Sequence, residues 1–253
     1  MLVVAASALA GCGGGGSGGG GGGAVARALK PLVQQGPVGR GADEVWFYAA
    51  KGKPRSLVIF LHGYGGPVEE TPKNHVPWLE HLAAEGNDVI YPRYEVGGGS
   101  NPYPHLAKAV NAAVDRLGAP SVPLVLIGYS RGGRVAVDYA AFLAAAGDDA
   151  SLVLSVFPGL NSPLERLGPL ESLDPKTRIV IMVGDRDTGV GATGGRALLQ
   201  RLEQARFPAR QIQIIGVKST KTFSATHLSV LEDTPGARNA FWKPADKLID
   251  SVR

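Results

Sequence analysis

The sequence contains a single cysteine, and this scarcity narrows the chemistry that the chain can perform. One cysteine among 253 residues excludes an internal disulfide framework and a cysteine-rich zinc site. Charged residues make up only 19% of the chain, which argues against a disordered protein or a long coiled coil. The sequence has no apolar run of the about 18 residues that a membrane-spanning helix needs. These absences leave a globular domain with a packed core as the expected class.

The charge balance is mildly basic and gives little support to a nucleic-acid partner. The 26 Lys and Arg residues exceed the 22 Asp and Glu residues, so the formal net charge is +4. The basic side chains are scattered singly and in pairs, whereas nucleic-acid patches usually contain runs of about five to eight Lys and Arg residues. We therefore expect a solvated basic surface and no nucleic acid among the partners.

Glycine is distributed unevenly, since 11 of the 36 glycines lie between positions 11 and 23. An apolar stretch before them ends in the tetrad Leu9-Ala10-Gly11-Cys12, and a short apolar segment that ends in small residues is typical of a signal peptide. The tetrad resembles the lipobox of bacterial lipoproteins, which implies cleavage before Cys12 and lipid attachment to it. We predict a signal peptide over residues 1–11, a flexible Gly/Ser tether over 12–23 and a folded domain over 24–253.

The lipobox resemblance implies a lipid-anchored protein of the bacterial cell envelope that contacts the membrane through Cys12. One feature departs from the usual pattern, because the segment before Cys12 contains no Lys or Arg and signal peptides usually begin with positive charge. A secreted protein therefore remains an alternative. So does a cytoplasmic protein with a low-complexity leader, in which Cys12 is an incidental free thiol.

Short apolar runs alternate with amphipathic helical patterns along residues 24–253. Runs of aliphatic and β-branched residues predict strands that are buried on both faces, and the helical patterns between them predict βαβ units. We therefore expect one α/β domain with a mostly parallel sheet of about seven or eight strands flanked by helices. The interval from Pro158 to Arg178 is too short for a large cap, so the lid is expected to be small or absent. Strands are predicted at 44–50, 56–61, 88–91, 124–128, 152–157, 179–183 and 211–217, and helices at 76–84, 104–117, 132–146, 195–205 and 238–252.

The segment Gly128-Tyr129-Ser130-Arg131-Gly132 joins a predicted strand directly to a predicted helix. It is a G-x-S-x-G pattern, in which a sharp turn exposes the serine and glycines remove obstructing side chains. A serine hydroxyl is a weak nucleophile unless a neighbouring base takes its proton. The helix that begins behind Ser130 also presents its positive dipole end to developing negative charge. Ser130 is therefore the predicted nucleophile.

This pattern in this position resembles the α/β-hydrolase family, and the resemblance extends over most of residues 44–252. Residues 61–66, Leu-His-Gly-Tyr-Gly-Gly, directly follow a predicted strand and resemble the oxyanion loop of that family. The resemblance implies that the backbone amides of Tyr64 and Arg131 bind the oxyanion. It gives His62 a structural role in holding the loop.

Two later motifs supply a candidate acid and a candidate base. Residues 183–190 fit a G-x-x-D-x-x-V pattern in which Asp187 is the favoured acid, with Asp185 as the alternative. His227 follows the last predicted strand, and it alone of the five histidines comes after the acid loop. In this family the three residues of the triad occur along the chain in the order serine, acid, histidine. The predicted triad is therefore Ser130, Asp187 and His227.

The resemblance implies a carboxylic ester hydrolase that acts on a small-molecule or lipid ester through an acyl-enzyme on Ser130. No cofactor and no metal are expected. Thioesterase, amidase or acyltransferase chemistry with the same triad remains an alternative. A non-catalytic binding lipoprotein on the same scaffold is a third possibility, since a fold does not fix a function. The side chain of Arg131 would either attract an anionic group of the substrate or pack beside the turn.

Overall fold

The computed structural model describes residues 34–64, 70–96, 101–118, 121–160 and 166–253. The predicted signal peptide, the tether and Cys12 lie outside these ranges, so they stay predictions of the sequence. Within the ranges, no helix is both long enough and apolar enough to cross a membrane.

One eight-stranded sheet forms the centre of the described structure. Its strands are β1 (Gln35–Val38), β2 (Val45–Tyr48), β3 (Ser56–Leu61), β4 (Asn87–Pro92), β5 (Leu124–Tyr129), β6 (Leu152–Val156), β7 (Arg178–Gly184) and β8 (Ile212–Val217). They lie in the order β1-β2-β4-β3-β5-β6-β7-β8. The pairs β1–β2 and β2–β4 are antiparallel, and every pair from β4 to β8 is parallel. The predicted α/β class with a mostly parallel sheet is confirmed.

Helices cover both faces of this sheet, as its apolar strands require. The helices are α1 (Val76–Ala84), α2 (Tyr103–Leu117), α3 (Arg131–Ala145), α4 (Gly191–Gln204), α5 (Pro235–Ala237) and α6 (Lys243–Asp250). Helices α2, α3 and α4 contribute to the apolar cluster on one face, and α1 and α6 contribute to the cluster on the other. All residues of β3 and β4 are buried between these two layers.

Two of the elements depart from the sequence prediction at their glycines. The sequence does not predict β1, because Gly36 and Pro37 interrupt it and both residue types are rare inside strands; an edge strand tolerates them. Helix α4 begins at Gly191 rather than at 195, although glycine disfavours a helix. A Cβ atom at Gly194 would overlap the carbonyl oxygen of Pro158. Close packing on the segment after β6 therefore requires glycine within this helix.

The carboxyl-terminal helix is also less regular than predicted. Its apolar spacing predicts one helix over 238–252. The structure instead has α5, a π-helical turn at Arg238–Trp242 and then α6, in unbroken succession. Phe241 and Trp242 in the π-helical turn are both buried, and the Trp242 ring stacks 6.3 Å from that of Trp78 in α1. Apolar spacing alone does not distinguish a π-helical turn from an α-helical one.

Helix α3 is fixed to its neighbours by the buried carboxylate of Asp138. Arg134, one turn earlier in α3, donates to Asp138 Oδ2 at 3.0 Å. Arg201 of α4 donates to Oδ1 at 2.5 Å, and the hydroxyl of Tyr103 in α2 lies 3.3 Å from Oδ2. Because a buried carboxylate is costly unless it is paired and hydrogen-bonded, these contacts favour one position for α3 and for the turn at its start.

Candidate active site

Ser130 lies in a sharp turn between β5 and α3. Its backbone has φ 55° and ψ −123°, a conformation that costs a residue with a side chain on the order of 1–3 kcal/mol. The amide of Ser130 donates to the carbonyl oxygen of Val156 at 2.9 Å. Its own carbonyl oxygen accepts from the amides of Gly133 at 2.9 Å and Gly159 at 2.8 Å. These three hydrogen bonds hold the strained turn in place.

Two glycines of the G-x-S-x-G pattern make this turn possible. A Cβ atom on Gly128 would overlap the carbonyl oxygen of Gly132. A Cβ atom on Gly132 would overlap the carbonyl oxygens of Leu61 and His62, at the end of β3. The pattern therefore reflects the close approach of β3, β5 and α3 around the half-buried serine.

His227 bridges Ser130 and Asp187. Its Nε2 atom lies 2.9 Å from Ser130 Oγ, and its Nδ1 atom lies 2.9 Å from Asp187 Oδ2. An imidazole that carries its proton on Nδ1 donates to the carboxylate and leaves Nε2 to accept from the hydroxyl. The structure thus brings together the three residues of the predicted triad, from the segments that follow three different strands.

Asp187 is held as an ionised carboxylate. Its side chain is fully buried, and Oδ1 accepts hydrogen bonds from the amides of Gly189 at 2.9 Å and Val190 at 3.1 Å. Burial acts to raise the pKa of Asp187, but the hydrogen bonds from His227 and from the Val190 amide outweigh it and keep the pKa below its usual range. A carboxylate that stays charged at neutral pH stabilises the imidazolium formed when a histidine takes a proton.

Asp185, the alternative acid, points away from this hydrogen-bonded chain. Its carboxylate accepts from Ser219 Oγ at 2.6 Å and from the Ser219 amide at 3.1 Å. The hydrogen bonds from Ser219 lower the pKa of Asp185. Ser219 Oγ in turn accepts from the amide of Ala225 at 2.9 Å. Asp185 therefore braces the loop that carries His227, and the geometry favours Asp187 as its partner.

Two aromatic residues that the sequence does not single out position His227. The hydroxyl of Tyr129 donates to the carbonyl oxygen of His227 at 3.0 Å, and the two rings lie 5.2 Å apart. The Phe157 ring stacks against the imidazole at 6.2 Å, from a backbone with φ 48°. Tyr129 occupies a variable position of the G-x-S-x-G pattern, so the pattern gives it no role.

The predicted oxyanion amides belong to Arg131 and Tyr64, which come from two different segments. Arg131 is the first residue of α3, where backbone N–H groups have no acceptor within the helix. The loop after β3 also passes close to the serine, because a Cβ atom on Gly63 would lie 3.2 Å from that of Ser130. Tyr64 follows directly, with its side chain 66% exposed. Both predicted amides therefore belong to backbone segments that adjoin Ser130.

His62 fixes the orientation of the Tyr64 amide. Its Nδ1 atom lies 2.7 Å from the carbonyl oxygen of Gly63, and its Nε2 atom lies 2.6 Å from that of Arg93. The Gly63 carbonyl and the Tyr64 N–H belong to one planar trans peptide, so they point in opposite directions. Holding the carbonyl on His62 therefore turns the Tyr64 N–H the other way. This geometry agrees with the structural role that the family resemblance implies for His62.

A buried set of side chains, which we term the oxyanion brace, links Arg131 to His62. Arg131 forms an ion pair with Glu95, whose side chain is 2% exposed, and its guanidinium lies 5.9 Å from the ring centre of Tyr94. Tyr94 stacks on His62 at 4.2 Å, and its hydroxyl donates to the His62 carbonyl oxygen at 2.5 Å. The brace is thus Arg131, Glu95, Tyr94 and His62. The Arg131 side chain packs against Glu95 beside the turn, and the sequence gives no signal for Glu95 or Tyr94.

Among the described residues, no group of three or more His, Cys, Asp or Glu side chains is arranged to hold a metal ion. The groups that surround Ser130 are a base, a carboxylate and backbone amides. This set can move a proton from the hydroxyl and stabilise negative charge at an attacked carbonyl.

Solved structures with the same arrangement of strands and helices include several ester hydrolases. Esterase B from Lactobacillus rhamnosis, inhibited by a tributyrin phosphonate, has a TM-score of 0.63 at 15% identity, covering 87% of this chain and 85% of its own. An alpha/beta hydrolase enzyme from a Medee basin deep-sea metagenome library has a TM-score of 0.59 at 16% identity, covering 83% and 92%. Carboxyl esterase 2 from the fungus Tuber melanosporum has a TM-score of 0.59 at 14% identity, covering 83% of each chain.

Sequence comparison adds nothing to this likeness, since no protein-family model and no curated protein matches the chain. At such low sequence identity the structural similarity supports the fold assignment and nothing further. The strand order, the helices on both faces and the serine turn after β5 agree with it. The chain has the α/β-hydrolase fold.

Proposed function

We propose that the protein is a serine hydrolase that cleaves carboxylic esters through an acyl-enzyme on Ser130. The observation that carries the proposal is the hydrogen-bonded chain from Ser130 Oγ through His227 to Asp187, with both hydrogen bonds at 2.9 Å. Such a chain supplies a nucleophile, a general base and a group that orients the base. The esterases that share its fold support the same reaction class.

The geometry supports a two-step acyl transfer. Ser130 Oγ attacks the ester carbonyl while His227 Nε2 takes its proton, and ionised Asp187 stabilises the resulting imidazolium. The amides of Tyr64 and Arg131 bind the oxyanion, each contributing on the order of 10²–10³ in turnover. His227 then protonates the departing alkoxide. Water, deprotonated by His227, attacks the acyl-enzyme. The bond between the acyl carbon and Ser130 Oγ then breaks, His227 returns the proton to Oγ, and the carboxylic acid leaves.

A fluorophosphonate probe tests the nucleophile, because such probes label only an activated serine. We expect labelling of the wild type and none of Ser130→Ala, with hydrolysis of 4-nitrophenyl esters lost in the same variant. A panel of esters, thioesters and anilides then separates the acyl-transfer alternatives by kcat/KM. Absence of labelling in folded wild-type protein would reject a catalytic role and leave the binding protein. A higher kcat/KM for thioesters or anilides would replace the ester assignment.

The proposal also includes attachment to a bacterial membrane through a lipid on Cys12, on the evidence of the Leu9-Ala10-Gly11-Cys12 tetrad. Radiolabelled palmitate supplied to a bacterial expression host should enter the wild type and not Cys12→Ser. Equal incorporation in both proteins, or none in either, would remove the anchor and favour the secreted or cytoplasmic alternative. Hydrolysis in vitro is expected to be the same in both.

A further inference from the structure

Large apolar side chains are exposed at six positions among the described residues, and four of these positions adjoin the candidate active site. Single exposed apolar residues are ordinary on protein surfaces, whereas a grouped set marks a binding surface. The four residues are Tyr64, Val96, Leu160 and Leu228, with exposures of 66%, 53%, 52% and 64%.

Two of the four follow residues that contact Ser130 itself. Tyr64 follows Gly63, where a Cβ atom would lie 3.2 Å from that of Ser130. Leu160 follows Gly159, whose amide donates to the Ser130 carbonyl oxygen at 2.8 Å. Consecutive Cα atoms are about 3.8 Å apart, so each side chain starts one residue away from the serine contact.

The other two follow residues that contact the neighbours of the serine. Val96 follows Glu95, the ion-pair partner of Arg131. Leu228 follows His227, which is hydrogen-bonded to Ser130. The four residues come from the segments after β3, β4, β6 and β8, so four separate loops carry them. We call these four residues the apolar rim.

Charge at the centre of the apolar rim is compensated. The Arg131 guanidinium adjoins the serine turn, but Glu95 neutralises it in a buried ion pair. Asp187 likewise balances the charge that His227 acquires when it takes a proton. An anionic substrate group would have to compete with Glu95 for Arg131, at a cost in desolvation. Hydrocarbon groups gain by leaving water against exposed apolar side chains.

We infer that the apolar rim binds the hydrocarbon chain of a neutral ester, so the substrate class is uncharged esters of medium- or long-chain acids. The inference rests on the proposed function for the reaction at Ser130. Binding to the apolar rim does not itself require turnover, however. The two claims can therefore be tested separately.

Binding is measured by calorimetric titration of Ser130→Ala with three methyl esters. Methyl octanoate should bind on the order of tenfold more tightly than methyl acetate, because each buried methylene adds to affinity. It should also bind more tightly than the anionic monomethyl octanedioate, because placing a carboxylate against apolar side chains costs desolvation. On this background, Leu160→Ser and Leu228→Ser should each weaken methyl octanoate binding about three- to tenfold. The matched control is Ile214→Ser, which changes a side chain 52% exposed on strand β8. It should leave the affinity unchanged.

Three results would overturn the inference. These are equal affinities for methyl octanoate and methyl acetate, a preference for monomethyl octanedioate, and the same response of Leu160→Ser, Leu228→Ser and Ile214→Ser. Rim variants that lose binding to phosphatidylcholine vesicles but keep methyl octanoate affinity would assign the surface to a lipid bilayer instead. Chain-length-dependent binding without fluorophosphonate labelling of the wild type would reject the proposed reaction and retain the apolar rim.

Discussion

The two sides of Ser130 are built from different kinds of group. On the base side, side chains from the loops after β7 and β8 form a hydrogen-bonded chain to the hydroxyl, in which Asp187 contacts His227 and His227 contacts Ser130 Oγ. At the predicted oxyanion site the groups that adjoin the serine belong to the backbone, and the buried side chains of the oxyanion brace link the two backbone segments. The hydrogen-bonded chain of Asp187 and His227 positions side-chain atoms against the serine hydroxyl, whereas the oxyanion brace positions backbone segments.

This difference predicts that variants on the two sides lose different properties, activity in one case and stability in the other. A change to the Asp187 carboxylate removes a charge that acts in the proposed reaction, but it leaves most of the surrounding hydrogen bonds intact. Removing the Glu95 charge from the oxyanion brace leaves Arg131 buried without its ion-pair partner, so this change affects folding before chemistry. Variants on the two sides should therefore separate activity from stability.

The largest expected effect is on the base side, in Asp187→Asn. An amide at this position stabilises no imidazolium and favours the wrong imidazole tautomer, so kcat should fall on the order of 10⁴-fold. The matched control is Asp185→Asn, two residues earlier, where the carboxylate braces Ser219 and does not touch His227. We expect kcat within about threefold of wild type there, since an amide oxygen still accepts the Ser219 amide proton. Steady-state hydrolysis of 4-nitrophenyl butyrate measures both. Equal losses would mean that the loop, and not the charge, limits the reaction.

Ser130, Asp187 and His227 could be predicted from the sequence, because their order along the chain and their positions after strands are visible there. Parallel strands bring their carboxyl ends to one edge of the sheet, and Ser130, Asp187 and His227 each follow a strand in the order that the family uses. Residue type alone does not decide whether Asp185 or Asp187 is the acid, because both are aspartates of the same loop. A pattern of spacing favoured Asp187, and the contacts of Asp185 with Ser219 show what the other carboxylate does.

The oxyanion brace could not be predicted in the same way. Glu95 and Tyr94 follow β4, and nothing in the local sequence says that they will meet the first residue of α3. That contact depends on β3 lying between β4 and β5 in the sheet, which is a property of the folded topology. Gly194 within α4 is a similar case, since its reason is the close approach of the carbonyl oxygen of Pro158 and not a local preference.

The second effect should be on stability, in Glu95→Gln. Removing one charge of a buried ion pair leaves Arg131 uncompensated, which costs about 3–5 kcal/mol. At about 2–4 °C per kcal/mol for a domain of this size, Tm should fall by at least about 6 °C. Asp187→Asn should lower Tm by less than about 4 °C, because the new side-chain oxygen still accepts from Gly189 and Val190. Thermal denaturation followed by circular dichroism compares them. A larger Tm loss in Asp187→Asn would reverse the assignment of roles.

The smallest effect should come from Tyr94→Phe, which removes one hydroxyl and keeps the ring against His62 and Arg131. Without the hydrogen bond to the His62 carbonyl oxygen, the loop that carries the Tyr64 amide is held less firmly. Removing an oxyanion donor outright costs about 10²–10³ in kcat, and loosening one should cost about tenfold. KM should stay nearly constant, because the oxyanion forms only after substrate binds.

The control for this variant is Tyr139→Phe in helix α3. Tyr139 is also fully buried, but its hydroxyl has no hydrogen-bond partner among the described residues. The substitution should leave kcat and KM unchanged. Equal kcat in the two variants would show that the oxyanion brace supports the fold without positioning the amide. A rise in KM for Tyr94→Phe at constant kcat would instead place its hydroxyl in substrate binding. A loss in kcat that occurs in Tyr94→Phe and not in Tyr139→Phe would show that the oxyanion brace contributes to turnover, as the Asp187–His227 pair is proposed to do.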